Sequence, residues 1–241
     1  MDSGNIGFVL LCAAFVFVMT PGLAMFYGGL VRKKNVVNTM MTSIFIIGIG
    51  IVMWVLFGYS LSFAPSGNAF IGDFRWLGLE GVSLTEGYTD DASIPNMVFS
   101  AFQMMFAVIT PALITGAVAG RMKFKSIFVF TIFWSLIVYY PLAHMVWGQG
   151  GLLGADGIGA LDFAGGDVVH ISSGVSALVL CILLGKRHDY EHSIYRIHNI
   201  PKVVLGASLL MFGWFGFNAG SALAADGLAA HAFMTTGVSA A

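Results

Sequence analysis

The chain has 241 residues, of which 58% are hydrophobic and 10% are charged, and its formal net charge is −1. Ordinary soluble domains carry roughly 25% charged residues, so this composition excludes a typical soluble domain and indicates a polytopic membrane protein. The near-zero net charge argues against nucleic acid as a partner. The two cysteines, Cys12 and Cys181, lie in separate apolar runs and show neither a disulfide framework nor a metal-ligand spacing.

Nearly uncharged runs of about 20 residues, the length with which a helix crosses a bilayer, recur along the chain. They predict six complete spans and the start of a seventh, at about 5–31, 39–63, 95–119, 126–146, 168–185, 202–224 and 227–241. The first run has no basic segment before it and exceeds the roughly 7–15 residues of a signal-peptide core, so it is interpreted as a span that stays. The sequence therefore predicts one all-α membrane domain over residues 1–241.

Basic residues occupy alternate loops between these spans. Ten of the eleven Lys and Arg lie between spans one and two, three and four, and five and six, and Arg75 is the exception. The positive-inside rule makes these loops cytoplasmic and places the amino terminus outside. Ten of the twelve acidic residues lie elsewhere, several of them in the 64–94 loop, which is interpreted as the wall of an extracytoplasmic vestibule. Such an acidic face could enrich cations, although a solvated loop is the favoured interpretation.

The segment Asp162-Phe-Ala-Gly-Gly-Asp-Val-Val-His170 carries an acid and an imidazole to the start of the fifth span. His170 lies about one turn inside that span, and an ionisable side chain at such depth marks a functional site. The alternative is that His170 only hydrogen-bonds a neighbouring helix. The glycines between the two residues allow a tight turn, so Asp162 can cap the helix that follows. Asp167 is the alternative N-cap, and the sequence does not separate the two.

Four segments, in the same order along the chain, resemble the ammonium transporter family, which is related to the Rh glycoproteins. They are Met19–Asn35, Ala143–Gly148, Asp162–His170 and Trp214–Ser221. The resemblance implies a fold of about eleven spans, with two inverted halves of five helices and a last helix. Since the seventh run is still in progress at Ala241, the chain is expected to be carboxyl-terminally truncated and to cover the first half and the opening of the second.

The resemblance also selects site residues that spacing leaves ambiguous. Phe102 and Phe106 share a face of the third span, and Phe217 and Ser221 share a face of the sixth. With 21 phenylalanines in the chain, such pairs ordinarily serve core packing. The family match implies that Trp147, Phe106 and Ser221, with Phe102, bind ammonium on the outer side. It also implies that Phe106 and Phe217 close the pore below.

The remaining polar residues are assigned in the same way. The resemblance gives His170 a place in the pore lining and in a proton relay, with a partner histidine expected beyond Ala241. It makes Asp162 an orienting and electrostatic residue that does not touch the substrate. His144 is expected to satisfy backbone groups at a helix end. His188, His192 and His198 are expected on a solvated cytoplasmic face, and His231 receives no role.

The predicted function is transmembrane ammonium transport. Full dehydration of an ammonium-sized ion costs on the order of 20 kcal/mol, whereas a cation over an aromatic ring gains about 0.5–2 kcal/mol. Ammonium is therefore expected to be captured outside, deprotonated, and conducted as ammonia through a hydrophobic pore. The alternatives are an ammonium sensor coupled to a signalling domain and an Rh-like neutral-gas channel. A membrane enzyme is disfavoured because no nucleophile, metal triad or cofactor motif accompanies Asp162 and His170.

The family resemblance further implies a homotrimer in the inner or plasma membrane, with one path per subunit. It implies no cofactor. A trimeric PII-type regulator is a possible partner at the cytoplasmic face.

Overall fold

The computed structural model describes residues 1–65, 68–155, 157–187, 190 and 194–241. Helices dominate these residues, and no strand occurs among them. They are α1 (Ser3–Leu30), α2 (Lys33–Phe63), α3 (Asn96–Val118), α4 (Phe124–Trp147), α5 (Gly166–Leu184), α6 (Ile200–Gly220) and α7 (Gly227–Ala240). The first six are long and apolar enough to cross a membrane. The all-α membrane fold class with six complete spans is thereby confirmed.

Helix α3 forms the centre of the bundle. In its most apolar stretch 72% of the residues are buried, against 22% in α5 and in α6. Its side chains Phe102 and Phe106 are each 1% exposed and belong to the main hydrophobic cluster. A helix buried on all sides is apolar all round, which explains why no charge interrupts α3.

Helices α1 and α6 pack through glycines. A Cβ atom on Gly206 would lie 2.7 Å from the backbone oxygen of Gly22, and one on Gly213 would lie 2.6 Å from that of Phe15. Real Cβ atoms do not approach backbone so closely, so these positions of α6 accommodate only glycine without movement. Small residues let helices associate in lipid, where apolar side chains gain nothing from leaving the solvent.

Three of the spanning helices contain a wide π turn. The π turns are Trp54–Gly58 in α2, Ser135–Tyr139 in α4 and Gly166–Ile171 at the start of α5. A π turn holds one more residue than an α turn and thus rotates the side chains that follow it, and such turns are frequent at functional sites. The π turn of α5 contains His170.

The loops of the described chain collect at two ends of the bundle. Residues 31–35, 119–123 and 185–187 meet at one end, which we call the basic end. The other end, which we call the cavity end, carries the described residues of the 64–95, 148–165 and 221–226 segments. Here His144 is fully buried, and its two ring nitrogens lie 3.1 Å and 3.0 Å from the backbone oxygens of Ser62 and Asn68. His144 therefore joins the end of α2 to the loop that follows it.

Some sequence-based expectations fall outside the described residues. They concern Ser66 and Gly67 of the predicted vestibule loop, the acids Asp156, Asp189 and Glu191, and the histidines His188 and His192.

Candidate functional site

A cavity of about 510 Å³ opens at the cavity end of the bundle. Phe102, Phe106, Trp147 and Ser221 all line it, although they come from α3, α4 and the end of α6. The structure thus brings together the four residues that the sequence assigned to cation capture. Aromatic rings and a few polar atoms around a concave space form a typical small-molecule site.

Phe106 lines this cavity and packs against Phe217, which lies outside the lining. The ring centroids of Phe106 and Phe217 lie 4.4 Å apart, and each side chain is 1% exposed. The indole of Trp147 meets Phe106 edge-on, with centroids 6.1 Å apart and planes at 85°. Rings in direct contact leave no room for a hydrated ion between Phe106 and Phe217.

His170 lies outside the cavity lining and next to Phe217. Its ring stacks on Phe217 at 5.8 Å and on Trp214 at 5.4 Å, with interplanar angles of 26° and 15°. Among the described residues, no protein group hydrogen-bonds its ring nitrogens. The aromatic neighbours thus fix the plane of the imidazole, and its nitrogens remain available to a small polar molecule.

Asp162 holds the turn that begins α5. Its carboxylate accepts hydrogen bonds from the backbone N–H groups of Gly165, Gly166, Asp167 and Val168, at 2.5–2.9 Å. Gly165 adopts a φ of 99°, a conformation that favours glycine and lets the chain fold back over the carboxylate. Between the two acids that the sequence left open, Asp162 is therefore the one that satisfies the free N–H groups at this helix start.

The same residue also positions the cavity wall. The backbone oxygen of Asp162 accepts a hydrogen bond of 2.9 Å from the indole Nε1–H of Trp147. The capped turn fixes this carbonyl, and the carbonyl fixes the indole. Asp162 thus contributes to the cavity wall both through Trp147 and directly, since it also lines the space.

Ser221 offers an acceptor to the cavity. Its hydroxyl donates to the backbone oxygen of Phe217 at 2.9 Å, as serines in apolar helices commonly do. Since the only proton of the hydroxyl is engaged there, the oxygen can face an N–H donor with a lone pair.

Gln103 is a polar lining residue that the sequence analysis missed. Its side chain is 9% exposed, and its Oε1 atom is buried without a hydrogen-bond partner among the described residues. A buried carbonyl oxygen without a partner costs about 1–3 kcal/mol, so its place beside a binding cavity points to a ligand donor. The sequence did carry a signal for Gln103, because this residue is an amide inside the uncharged 95–119 run. Polar residues within spans are rare and mark functional sites.

The rim of the cavity is held by aromatic stacking. Tyr88 lies parallel to Phe99, with centroids 4.7 Å apart and planes at 6°. The backbone N–H of Gln149 donates to the Tyr88 hydroxyl at 3.1 Å, and its side-chain amide donates to the Tyr88 backbone oxygen at 2.9 Å. Burial raises the pKa of Tyr88 to about 12, so this phenol stays neutral at the rim.

Comparison with known proteins places these features in a family. Residues 7–241 match the family described as Ammonium Transporter Family. The chain is 53% identical, over its whole length, to an ammonium transporter of Bacillus subtilis (strain 168), and it covers 58% of that protein. It is 42% identical to the ammonium transporter Amt1 of Archaeoglobus fulgidus, again over 58% of the relative. The chain thus spans a little more than half the length of the curated relatives it matches.

Solved structures agree with this placement. The crystal structure of Candida albicans Mep2 matches the whole chain with a TM-score of 0.89 and 33% sequence identity, over 53% of that chain. A structure named Sensor Amt Protein matches 98% of the chain with a TM-score of 0.84 and 28% identity, over 59% of that chain.

Proposed function

The chain belongs to the ammonium transporter family, and on this basis we propose that the protein of which it forms part transports ammonium across a membrane. The observation that carries the proposal is that one cavity is lined by Phe102, Phe106, Trp147 and Ser221, and that Phe106 packs directly against Phe217 behind it. An aromatic cation site above a hydrophobic barrier suits capture of an ion that must shed its proton to pass.

Capture uses the rings and the acceptors of the cavity. A monovalent cation near the face of an aromatic ring gains about 0.5–2 kcal/mol. Ammonium, unlike an alkali ion, also carries four N–H donors in tetrahedral array. The hydroxyl oxygen of Ser221 and the Oε1 of Gln103 provide acceptors for two of these donors. Recognition by hydrogen bonds distinguishes ammonium from potassium, which has no donor.

Passage requires the neutral species. Full dehydration of an ammonium ion costs on the order of 20 kcal/mol in an apolar medium, far more than the cavity offers in return. Ammonia has no such cost, so ammonium transfers its proton to water in the cavity above Phe106 and Phe217, and ammonia passes the barrier while the proton travels separately. Below this barrier, the imidazole of His170 can accept or donate a hydrogen bond and thereby steers ammonia and relays the proton.

The setting of the transporter follows from the family and from charge. We place the protein in the inner or plasma membrane as a homotrimer, with the amino terminus and the cavity end outside. The relatives are named as transporters, which is a non-enzymatic role, and the proposed path needs no cofactor. A PII-type regulator would meet the basic end.

Sensing is the second candidate, because a structure named Sensor Amt Protein shares the fold of this chain. In that function the same cavity would bind ammonium and pass the information to a signalling domain, without substantial flux. An Rh-like neutral-gas channel has the same barrier and would differ in not needing the cation site.

Ammonium-evoked current on a solid-supported membrane tests these functions. We expect the complete protein in liposomes to give a current that His170→Ala removes, while the control His198→Ala, at the basic end, retains it. Trp147→Leu should weaken the preference for ammonium over other cations.

Tight ammonium binding without current would establish the sensor, and transport of ammonia or methylamine without a cation preference would establish the gas channel. If the complete protein neither binds nor transports ammonium, the proposal is refuted.

A further inference from the structure

The cavity at the cavity end is lined by a carboxylate to which the proposed path gives no role. Asp91 contributes to its wall, together with Thr89 and Ser93 of the same loop. Within the described part of the chain, no Lys or Arg lines this cavity. The sequence analysis favoured a solvated loop for the acids of 64–94, and the structure places one of them, Asp91, at the wall of the candidate site.

A tight turn carries Asp91 and its neighbour Asp90. The backbone N–H of Ala92 donates to the backbone oxygen of Thr89 at 3.1 Å, so the two acids are the central residues of a β-turn. Both are exposed to solvent, but of the two Asp91 lines the cavity and Asp90 does not. Two adjacent carboxylates of equal charge thus differ in their relation to the cavity.

Contacts on both sides of the turn hold it at the mouth of the cavity. Before the turn, the ring of Tyr88 stacks on that of Phe99, with centroids 4.7 Å apart. After the turn, the hydroxyl of Ser93 donates to the backbone oxygen of Leu223 at 3.3 Å. These contacts give Asp91 a defined place relative to α3 and to the end of α6.

The cavity extends along α3 from this mouth to the aromatic rings. Phe99, Gln103 and Phe106 all line it. Phe99 precedes Phe106 by seven residues, which corresponds to about 10 Å along a helix. The turn that carries Asp91 begins beside Phe99, so it lies at the far end of the cavity from Phe106. A volume of about 510 Å³ holds an ammonium ion together with several water molecules, so an ion meets Asp91 while it is still hydrated.

The charge of Asp91 is not neutralised by a neighbouring side chain. Among the described residues, its carboxylate has neither a hydrogen bond nor an ion pair. Arg75 is the one Lys or Arg between residues 35 and 120, and it pairs with Asp73 at 2.6 Å. The other acid of the lining, Asp162, is engaged by four backbone N–H groups. Asp91 therefore provides the carboxylate that remains free to attract a cation.

Gln103 independently indicates that this cavity receives a hydrogen-bond donor. Its side chain is 9% exposed, and its Oε1 atom has no hydrogen-bond partner among the described residues. In the order of α3 it lies between Phe99 and Phe106. An ion that leaves Asp91 for the rings thus meets a second free oxygen on its way.

We propose that Asp91 forms an outer cation position at the mouth of the cavity, where ammonium is held before it reaches Phe106, Trp147 and Ser221. This inference rests on the proposed function and adds a residue that sets the affinity of capture. A carboxylate at the entrance of a cleft raises the local concentration of cations, and salt weakens this attraction. Since the carboxylate attracts ammonium and alkali ions alike, Asp91 contributes to affinity and leaves selectivity to the inner site.

The dependence of ammonium-evoked current on ammonium concentration provides the test. The complete protein is reconstituted in liposomes of zwitterionic phosphatidylcholine, and currents are recorded in about 10 mM and about 300 mM choline chloride, which differ severalfold in Debye length. The variant is Asp91→Asn. The matched control is Asp90→Asn, which removes the same charge from the same turn but not from the cavity wall. Asp91→Glu is the conservative variant that keeps the carboxylate.

At low salt, Asp91→Asn should raise the half-saturating ammonium concentration about threefold at unchanged maximal current, while Asp90→Asn and Asp91→Glu stay within about 1.5-fold of the wild type. At high salt, the difference between Asp91→Asn and the wild type should shrink to within about 1.5-fold. The proposal is overturned by equal shifts in the two asparagine variants, by no shift in Asp91→Asn, or by a change in its maximal current alone. A wild type that neither binds nor transports ammonium refutes the proposed function instead.

Discussion

Asp162 serves both the start of α5 and the wall of the cavity at the cavity end. Its carboxylate takes four backbone N–H donors, which are unsatisfied at any helix start and especially costly near lipid. Its carbonyl orients the Trp147 indole. A residue can therefore be essential to a binding site without touching the substrate, and a substitution there should affect folding and recognition together.

We expect Asp162→Asn to lower the free energy of unfolding by about 3 kcal/mol. The amide has one oxygen and an NH₂ group that faces N–H donors, so at least two charge-assisted bonds of about 1.5–3 kcal/mol each are lost. The matched control is Asp167→Asn, because Asp167 lies in the same turn and contributes its backbone N–H to the Asp162 carboxylate. Thermal unfolding in detergent, followed by tryptophan fluorescence, measures both. Equal destabilisation by the two substitutions would contradict this assignment.

Gln103→Leu should weaken ammonium binding about tenfold, since it removes one hydrogen-bond acceptor for a cation while preserving most of the side-chain volume. Gln103→Glu keeps a carbonyl-type acceptor and should retain binding. Met104→Leu is the control on the same helix, because Met104 does not line the cavity. Calorimetric titration with ammonium distinguishes the three. Unaltered affinity in Gln103→Leu would show that the buried Oε1 faces no ligand.

The site could be predicted from the sequence only in part. Spacing placed Phe102 beside Phe106 but could not choose them among 21 phenylalanines, and the family resemblance made that choice. Gln103 was missed because an amide in a span has no spacing rule, and only its unpartnered oxygen in the structure distinguishes it. The choice between Asp162 and Asp167 depended on the path of a glycine turn, which local sequence does not determine.

At the level of helices, hydropathy located the six spans because the transfer of apolar residues into lipid decides whether a segment crosses a membrane. It could not locate the π turns of α2, α4 and α5. A π turn changes the hydrogen-bond register by one residue and leaves the average hydropathy of the segment unchanged. The position of His170 relative to Phe217 depends on the π turn at Gly166–Ile171. The hydrophobic periodicity of the sequence therefore could not predict it.

The contact between α1 and α6 gives a prediction about packing. Gly206→Ala should destabilise the protein by about 2 kcal/mol or more, because its Cβ would collide with the backbone of Gly22 and Phe26 and force the helices apart. Gly48→Ala in α2 is the control, since a Cβ there meets nothing within 4 Å. The control should be neutral or stabilising by about 0.5–1 kcal/mol, owing to the higher helix propensity of alanine. Similar losses in both variants, measured by thermal unfolding, would argue against close packing as the cause.

For the whole molecule, burial is uneven across the bundle. Helix α3 is enclosed, whereas α5 and α6 expose apolar side chains such as Ile182, at 70%, and Val204, at 59%. Such surfaces need an apolar surrounding of lipid or further helices.

The two ends of the bundle differ in charge, and this difference predicts the orientation of the whole protein. Single cysteines are placed at the two ends, as Asp90→Cys and Lys123→Cys, in a background in which every native cysteine, including Cys12 and Cys181, is replaced by alanine. A membrane-impermeant maleimide applied to intact cells should label the Asp90→Cys variant at once. The Lys123→Cys variant should be labelled only after permeabilisation, because the loops that carry ten of the eleven basic residues are retained inside. The reverse pattern would turn the cavity end toward the cytoplasm and make the proposed capture site an exit.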